Sequence, residues 1–190
     1  MCPKHRKIYN REKAMKKIDI LKVSVVALLL LCVYRQPISL AAEVKSAKSG
    51  YGIQIDIPVK LEKAKVVFNM DHLAFSGDVP VGIKYMHLLA KRMKEIGTKG
   101  KIIGIFHGKA AYMTLNDKAY NTYRNISTGN PYKGLIAELL KQGVQIEECA
   151  VSMKGHNWVN EDLLPGVKVN SGAVARLVQL VQEGYVQIQP

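Results

Sequence analysis

The strongest constraint on this chain is its rhythm: short apolar runs recur, and amphipathic stretches of helical period separate them. Ala64-Lys65-Val66-Val67-Phe68-Asn69-Met70, Lys101-Ile102-Ile103-Gly104-Ile105-Phe106 and Val144-Gln145-Ile146-Glu147-Glu148-Cys149 each read as a buried strand. Between the first two, a helix is predicted from Pro80 to Ile96, with Met86, Leu89, Ala90 and Met93 on one face and Gly97 as its stop. Ala110-Ala111-Tyr112 and the stretch from Asn116 to Tyr123 read as helical with loops. Asn130-Pro131 then opens a further helix that Gly143 closes. After Cys149, Met153 to Trp158 reads as a polar segment and Glu161 to Leu164 as a turn of helix. Val167-Lys168-Val169 makes a fourth strand. Ser171 caps a last helix with Val174, Leu177, Val178 and Val181 inward, and Tyr185 to Ile188 closes the chain as a fifth strand.

Such alternation predicts an α/β protein, a three-layer α/β/α sandwich over a mainly parallel sheet of about five strands, because a crossover helix returns the chain to run each strand in the same direction. All strand C-termini then lie on one edge, where open α/β sheets bind ligands. The first three strands deliver Asn69 to His72, His107-Gly108 and Cys149 to that edge.

The ends of the chain carry other information. Residues 1–22 hold eight Lys/Arg against Glu12 and Asp19, and eleven uncharged residues follow, Val23 to Val33. A spanning helix needs about 20 apolar residues, so this run fits a signal-peptide core, with Ser39 and Ala41 at the spacing of a cleavage site. The expected organisation is a signal peptide over 1–41, an arm or linker over 42–63 and an α/β domain over 64–190. The expected location is the bacterial periplasm, with an uncleaved membrane anchor as the alternative. In the arm, residues 53–57 alternate as a short strand would.

Cleavage after Ala41 leaves nineteen Lys/Arg against thirteen acids, an ordinary balance for an exported domain, although the whole chain carries +13. No basic stripe interleaved with aromatics follows, so nucleic acid is not an expected partner, nor is a membrane once the signal is removed. No glycine-rich phosphate loop follows the first strand, and no CxxC or HxxxH pair occurs. No cofactor site and no metal ligand set are assigned. Cys2 and Cys32 leave with the signal, so Cys149 stands alone.

Three chemistries are open to a strand-end thiol with imidazoles on the same edge. A lowered thiol pKa beside an imidazolium or a helix N-terminus makes a sulfur nucleophile able to carry a persulfide, the positive end coming from a helix after Cys149 or from the Asn130-Pro131 helix. One Cys and two His could hold zinc or copper. A Cys-His hydrolase needs an orienting acid and an oxyanion hole that the sequence does not disclose. Against these stands a plain structural reading: Cys149 as a small core residue, His107, His72 and His156 as loop residues, His87 on a helix surface, and Tyr112, Met153 and Trp158 as packing groups.

The run "GLIAELLKQGVQIEECAVSMKGHNWVNEDLLPGVKVNSGAVARLVQLVQEGYVQIQP", with "AKVVFNMDHLAFSGD" and "FHGKAAY" upstream, resembles the DsrE/DsrF-like proteins, often described as intracellular sulfur oxidation proteins, over residues 55–190. The resemblance implies the three-layer sandwich with a five-stranded sheet and a homo-oligomer, a trimer or hexamer. It also implies a sulfur-carrier role with a donor or acceptor protein as partner. Cys149 matches the family's strand-end persulfide acceptor, and His107 is a candidate assistant. Whether such a carrier counts as an enzyme is left open, sulfurtransferase-like at most. The alternatives are a non-catalytic oligomeric scaffold with Cys149 buried, and a periplasmic metal-binding protein.

Overall fold

A computed structural model describes residues 52–190. The expected signal segment lies outside the described residues. The compact unit runs from Val59 to Pro190. The alternating residues 53–57 form no strand, and Ile53, Ile55 and Ile57 are exposed.

Five parallel strands form the main sheet in the order β6-β5-β4-β1-β7: β1 (Lys63–Met70), β4 (Lys99–Phe106), β5 (Gln145–Cys149), β6 (Lys168–Asn170) and β7 (Val186–Ile188). A two-stranded hairpin, β2 (Phe75–Ser76) with β3 (Val79–Pro80), precedes α1 (Val81–Ile96). Side-chain alternation along each strand splits the core in two. Val66, Phe68, Ile102, Phe106 and Ile146 face α1, α2 (Asp117–Arg124), α3 (Lys133–Lys141) and α4 (Ala150–His156). Val67, Ile103, Ile105 and Cys149 face α5 (Ala173–Gln182) through Ala173, Leu177 and Leu180. Helices thus lie on both faces of the sheet, the three layers that the sequence predicts.

Connections from β1 through β4 and β5 to β6 all cross the first face. The β6 to β7 connection returns across the second, so a single crossover hand is kept while the direction of travel reverses. Gly104 lets α1 settle close to the sheet: a Cβ there would sit 2.7 Å from the Met86 sulfur.

Local departures from the sequence reading have identifiable causes. Met153 to His156 is helical, because the chain turns into α4 directly at Cys149. Asn130 does not open its helix, which starts at Lys133. Its buried side chain instead donates to the carbonyls of Met113 (3.0 Å) and Leu115 (2.5 Å) and accepts the Tyr132 N–H at 2.8 Å. Ser171 is not the cap of α5. Gly172 holds that position without a side-chain bond, and Asn170 Oδ1 accepts its N–H at 3.1 Å.

The largest departure is the roll of α5. Val174 (73% exposed), Val178 (54%) and Val181 (49%) face outward, and Ala173, Leu177 and Leu180 face the sheet. Both triplets have i, i+4, i+7 spacing, so apolar periodicity alone does not choose between them. Arg176 does. Its guanidinium meets the buried Glu147 carboxylate on the α5 face of β5 at 2.9 Å, which turns the valine stripe to solvent.

Candidate functional site: a thiol where the chain leaves for opposite layers

At the C-terminal edge of the sheet, the chain leaves β5 into α4 on one face, and leaves the neighbouring β6 into α5 on the other. Such a divergence opens a crevice between adjacent strand ends. Cys149 is the last residue of β5, paired with Asn170 in β6, and its sulfur lies between the starts of the two helices.

Sγ accepts the Ala173 N–H at 3.3 Å. Burial by itself pushes the thiol pKa up. The N–H groups of Ser152, Ala173 and Val151, together with the Ser152 hydroxyl, outweigh it and hold the thiol below its ordinary value. Ser152 Oγ also accepts the Gly108 N–H at 3.1 Å, which leaves its own proton free for the sulfur. Gly108 takes a left-handed φ of 55°, and a Cβ there would come within 2.9 Å of the Asp71 carbonyl oxygen, so the close approach of this loop depends on glycine. Cys149 is only 3% exposed.

The expected histidines form a second cluster around β1, β4 and β7. His107 Nε2 donates to Asn69 Oδ1 at 2.6 Å, and Asn69 Nδ2 donates to Gln189 Oε1 at 2.6 Å. Gln189 Nε2 in turn donates to Asp71 Oδ1 at 2.6 Å, and the Asp71 carboxylate also holds His72 Nδ1 at 2.5 Å. Burial lowers the His107 pKa, partly offset by the Asp71 charge. Asp71 lies below its ordinary value: its small burial is outweighed by the bonds from His72 and Gln189 and by the charges of His72 and His107. His107 therefore follows the end of β4, the strand beside β5, but is bonded to Asn69, and its link to the sulfur runs through Gly108 and Ser152. His72 belongs wholly to the second cluster. Among the described residues, no group of three or more His, Cys, Asp or Glu is arranged to hold a metal ion.

Sequence reasoning missed the second helix end at the sulfur, because α5 begins more than twenty residues after Cys149. It also missed Ser152, whose signal was available as Cys149-Ala150-Val151-Ser152 at a helix start. Gln189 gave no signal at all. The remaining candidates have structural places: His156 stacks on Trp158 at 4.5 Å, Tyr123 meets both edge-on, and His87 Nδ1 lies 2.9 Å from Gln142 Nε2.

Residues 62–190 match the model of the DsrE/DsrF-like family. The chain belongs to the DsrE/DsrF-like family. Among solved structures, this DsrE-like chain is similar to the protein of unknown function MTH1491 from Methanobacterium thermoautotrophicum, at 23% identity and a TM-score of 0.52, over 67% of this chain and 99% of that one. It is also similar to the ychN protein of E. coli, at 13% identity and a TM-score of 0.49, over 67% and 99%. The first of these supports the fold. No curated protein matches the DsrE-like chain.

Proposed function

We propose that this DsrE-like protein binds and relays reduced sulfur as a persulfide on Cys149. The observation that carries the reading is the ring of donors on Sγ: N–H groups from the starts of both α4 and α5, with the Ser152 hydroxyl, favour a sulfur anion at this buried position. A Cys149 thiolate attacks the outer sulfur of a persulfide donor, RS–SH. The Cys149 S–S bond forms as the donor S–S bond breaks, RS⁻ leaves, and the transferred sulfur keeps its proton. No net oxidation occurs. The same donors suit the Cys149–S–S⁻ anion that then passes its outer sulfur to an acceptor protein.

The test is intact-mass measurement after incubation with a persulfide donor. A Cys149-dependent gain of about 32 Da is expected, and its absence overturns the relay. The low exposure of Cys149 favours one other reading, a homo-oligomeric scaffold with an inert thiol. Native alkylation separates the two, fast for a depressed thiolate and slow for a sealed core thiol. The weaker metal-binding reading calls for stoichiometric metal in untagged protein.

The proposal extends to assembly and location. The exposed stripe Val174, Val178 and Val181 supports self-association, as a trimer or hexamer, to be measured by native mass spectrometry. Residues 1–41 act as an export signal cleaved near Ala41, leaving the protein in the periplasm. N-terminal sequencing of the mature protein decides this, and retention of Met1 would overturn it.

A further inference from the structure

Glu147 and Cys149 point to the same face of β5, two residues apart, and Ala173 and Arg176 lie on the sheet side of α5, three residues apart. Two rungs therefore join this strand to this helix. The outer rung is the Ala173 N–H on Sγ at 3.3 Å. The inner rung is Arg176 on the Glu147 carboxylate, through Nε at 3.0 and 3.2 Å and Nη2 at 2.9 Å. Asn170 ties the turn to the same carboxylate: its Nδ2 donates to Glu147 Oε2 at 3.2 Å, and its Oδ1 accepts the N–H of Gly172, the residue before the helix. Gln145 Nε2 adds a further donor at 2.6 Å.

We propose that Glu147 and Arg176 are positioning residues for Cys149, holding the height and roll of α5 so that its first N–H falls on the sulfur. Neither side chain touches Sγ. A buried ion pair is a poor source of stability, since apolar residues of similar volume often hold two elements together as well. What the pair supplies is direction. With two apolar stripes to choose from, hydrophobic burial leaves the roll of α5 undetermined. Turning the valine stripe inward would swing Arg176 to solvent, leave Glu147 buried without a cation, and carry the Ala173 N–H off the sulfur.

The other titratable groups near Cys149 have partners of their own. Glu148 faces the opposite layer and bonds Thr114, and Lys168 Nζ lies 3.4 Å from Gln145 Oε1. The His107 ring bonds Asn69. Lys154 and His156 occupy the last turn of α4, away from its start at Cys149, and Glu183 lies at the far end of α5, where Gln179 Nε2 bonds it. The inference concerns thiol ionisation and does not require the relay of sulfur.

The experiment is the pH profile of alkylation at Cys149 in the full chain, resolved by peptide mass mapping so that Cys2 and Cys32 do not contribute. In the Glu147→Gln/Arg176→Met double variant, which leaves no orphan charge, the midpoint is expected to rise by about one pH unit. Arg176→Lys, which keeps the charge but loses the fork, is expected to shift it in the same direction by less. Ile136→Val, a core trim in the opposite layer, is expected to keep the original midpoint. An unchanged midpoint in the folded double variant overturns the proposal. Should that variant fail to fold, an unchanged midpoint in Arg176→Lys overturns it instead. A shifted midpoint together with no sulfur adduct on the unsubstituted protein would sink the relay and leave the positioning role standing.

Discussion

Glu147 and Glu148 are adjacent in sequence and almost equally inaccessible, at 2% and 0% exposed, yet one is held ionised and the other neutral. Alternation along β5 sends them to different layers. On the α5 side, burial would raise the Glu147 pKa, but Arg176, Gln145 and Asn170 overcome it and keep the carboxylate ionised below its ordinary value. On the other side, burial raises Glu148 from 4.5 to about 9, and among the described residues no cation answers it. The hydrogen bonds agree. Thr114 has one hydroxyl proton, and its Oγ1 lies 2.9 Å from the Ala111 carbonyl and 2.8 Å from Glu148 Oε2. A protonated Glu148 donating to Thr114, with Thr114 donating to Ala111, satisfies both contacts. Burial alone does not set a carboxyl's charge; what the fold places opposite it does.

The sharpest way to break this contrast is pH. Because native Glu148 keeps a proton that the unfolded chain gives up above 4.5, its contribution to stability is complete below that pH and is lost as pH rises through about 9. Relative to Glu148→Gln, the unsubstituted protein is expected to lose about 1.4 kcal/mol per pH unit across that window. Urea unfolding at several pH values reads the slope, and parallel curves would refute a neutral Glu148. For Glu147 the sign is reversed: its contribution is present above the ordinary carboxylate pKa and is lost as pH falls through the lowered one.

A smaller effect comes from removing one partner. Arg176→Met strands the Glu147 charge and is expected to cost roughly 3 kcal/mol at neutral pH, whereas the neutral Glu147→Gln/Arg176→Met pair should recover most of it. Denaturant midpoints for the two variants check this. Smaller again, Asn69→Asp places a carboxylate against His107 Nε2, and its imidazole midpoint is expected to rise by about one pH unit from its present position below 6.5. NMR titration of the ring protons measures it. Least of all, Val178→Lys on the exposed stripe is expected to change the unfolding free energy by no more than about 0.5 kcal/mol, while weakening any self-association that native mass spectrometry detects.

Much of this fold can be read from local pattern. The apolar runs at Val66, Ile102 and Ile146 and the helix bearing Met86 and Met93 carry their own periodicity, and Cys149 ends a strand wherever the sheet places it. The roll of α5 is different in kind. Ala173/Leu177/Leu180 and Val174/Val178/Val181 are equally plausible inner faces until Glu147, twenty-nine residues upstream of Arg176, is known to be buried beneath the helix. The same distance hides the second donor at the sulfur. His72 and His107 do reach the expected edge, but Gln189 and Asn69 claim them there, and that pairing depends on β7 lying beside β1.

The stacked pair at the end of α4 gives these ideas an optical handle. Trp158 is the sole tryptophan of the chain, and it lies face to face with His156 at 4.5 Å, one short helix away from Cys149. A displacement of α4 by new atoms on the sulfur would change the overlap of the two rings. The protein therefore carries a built-in fluorophore at the far end of the helix that starts at its thiol, a means of following events at Cys149 by light without attaching a dye.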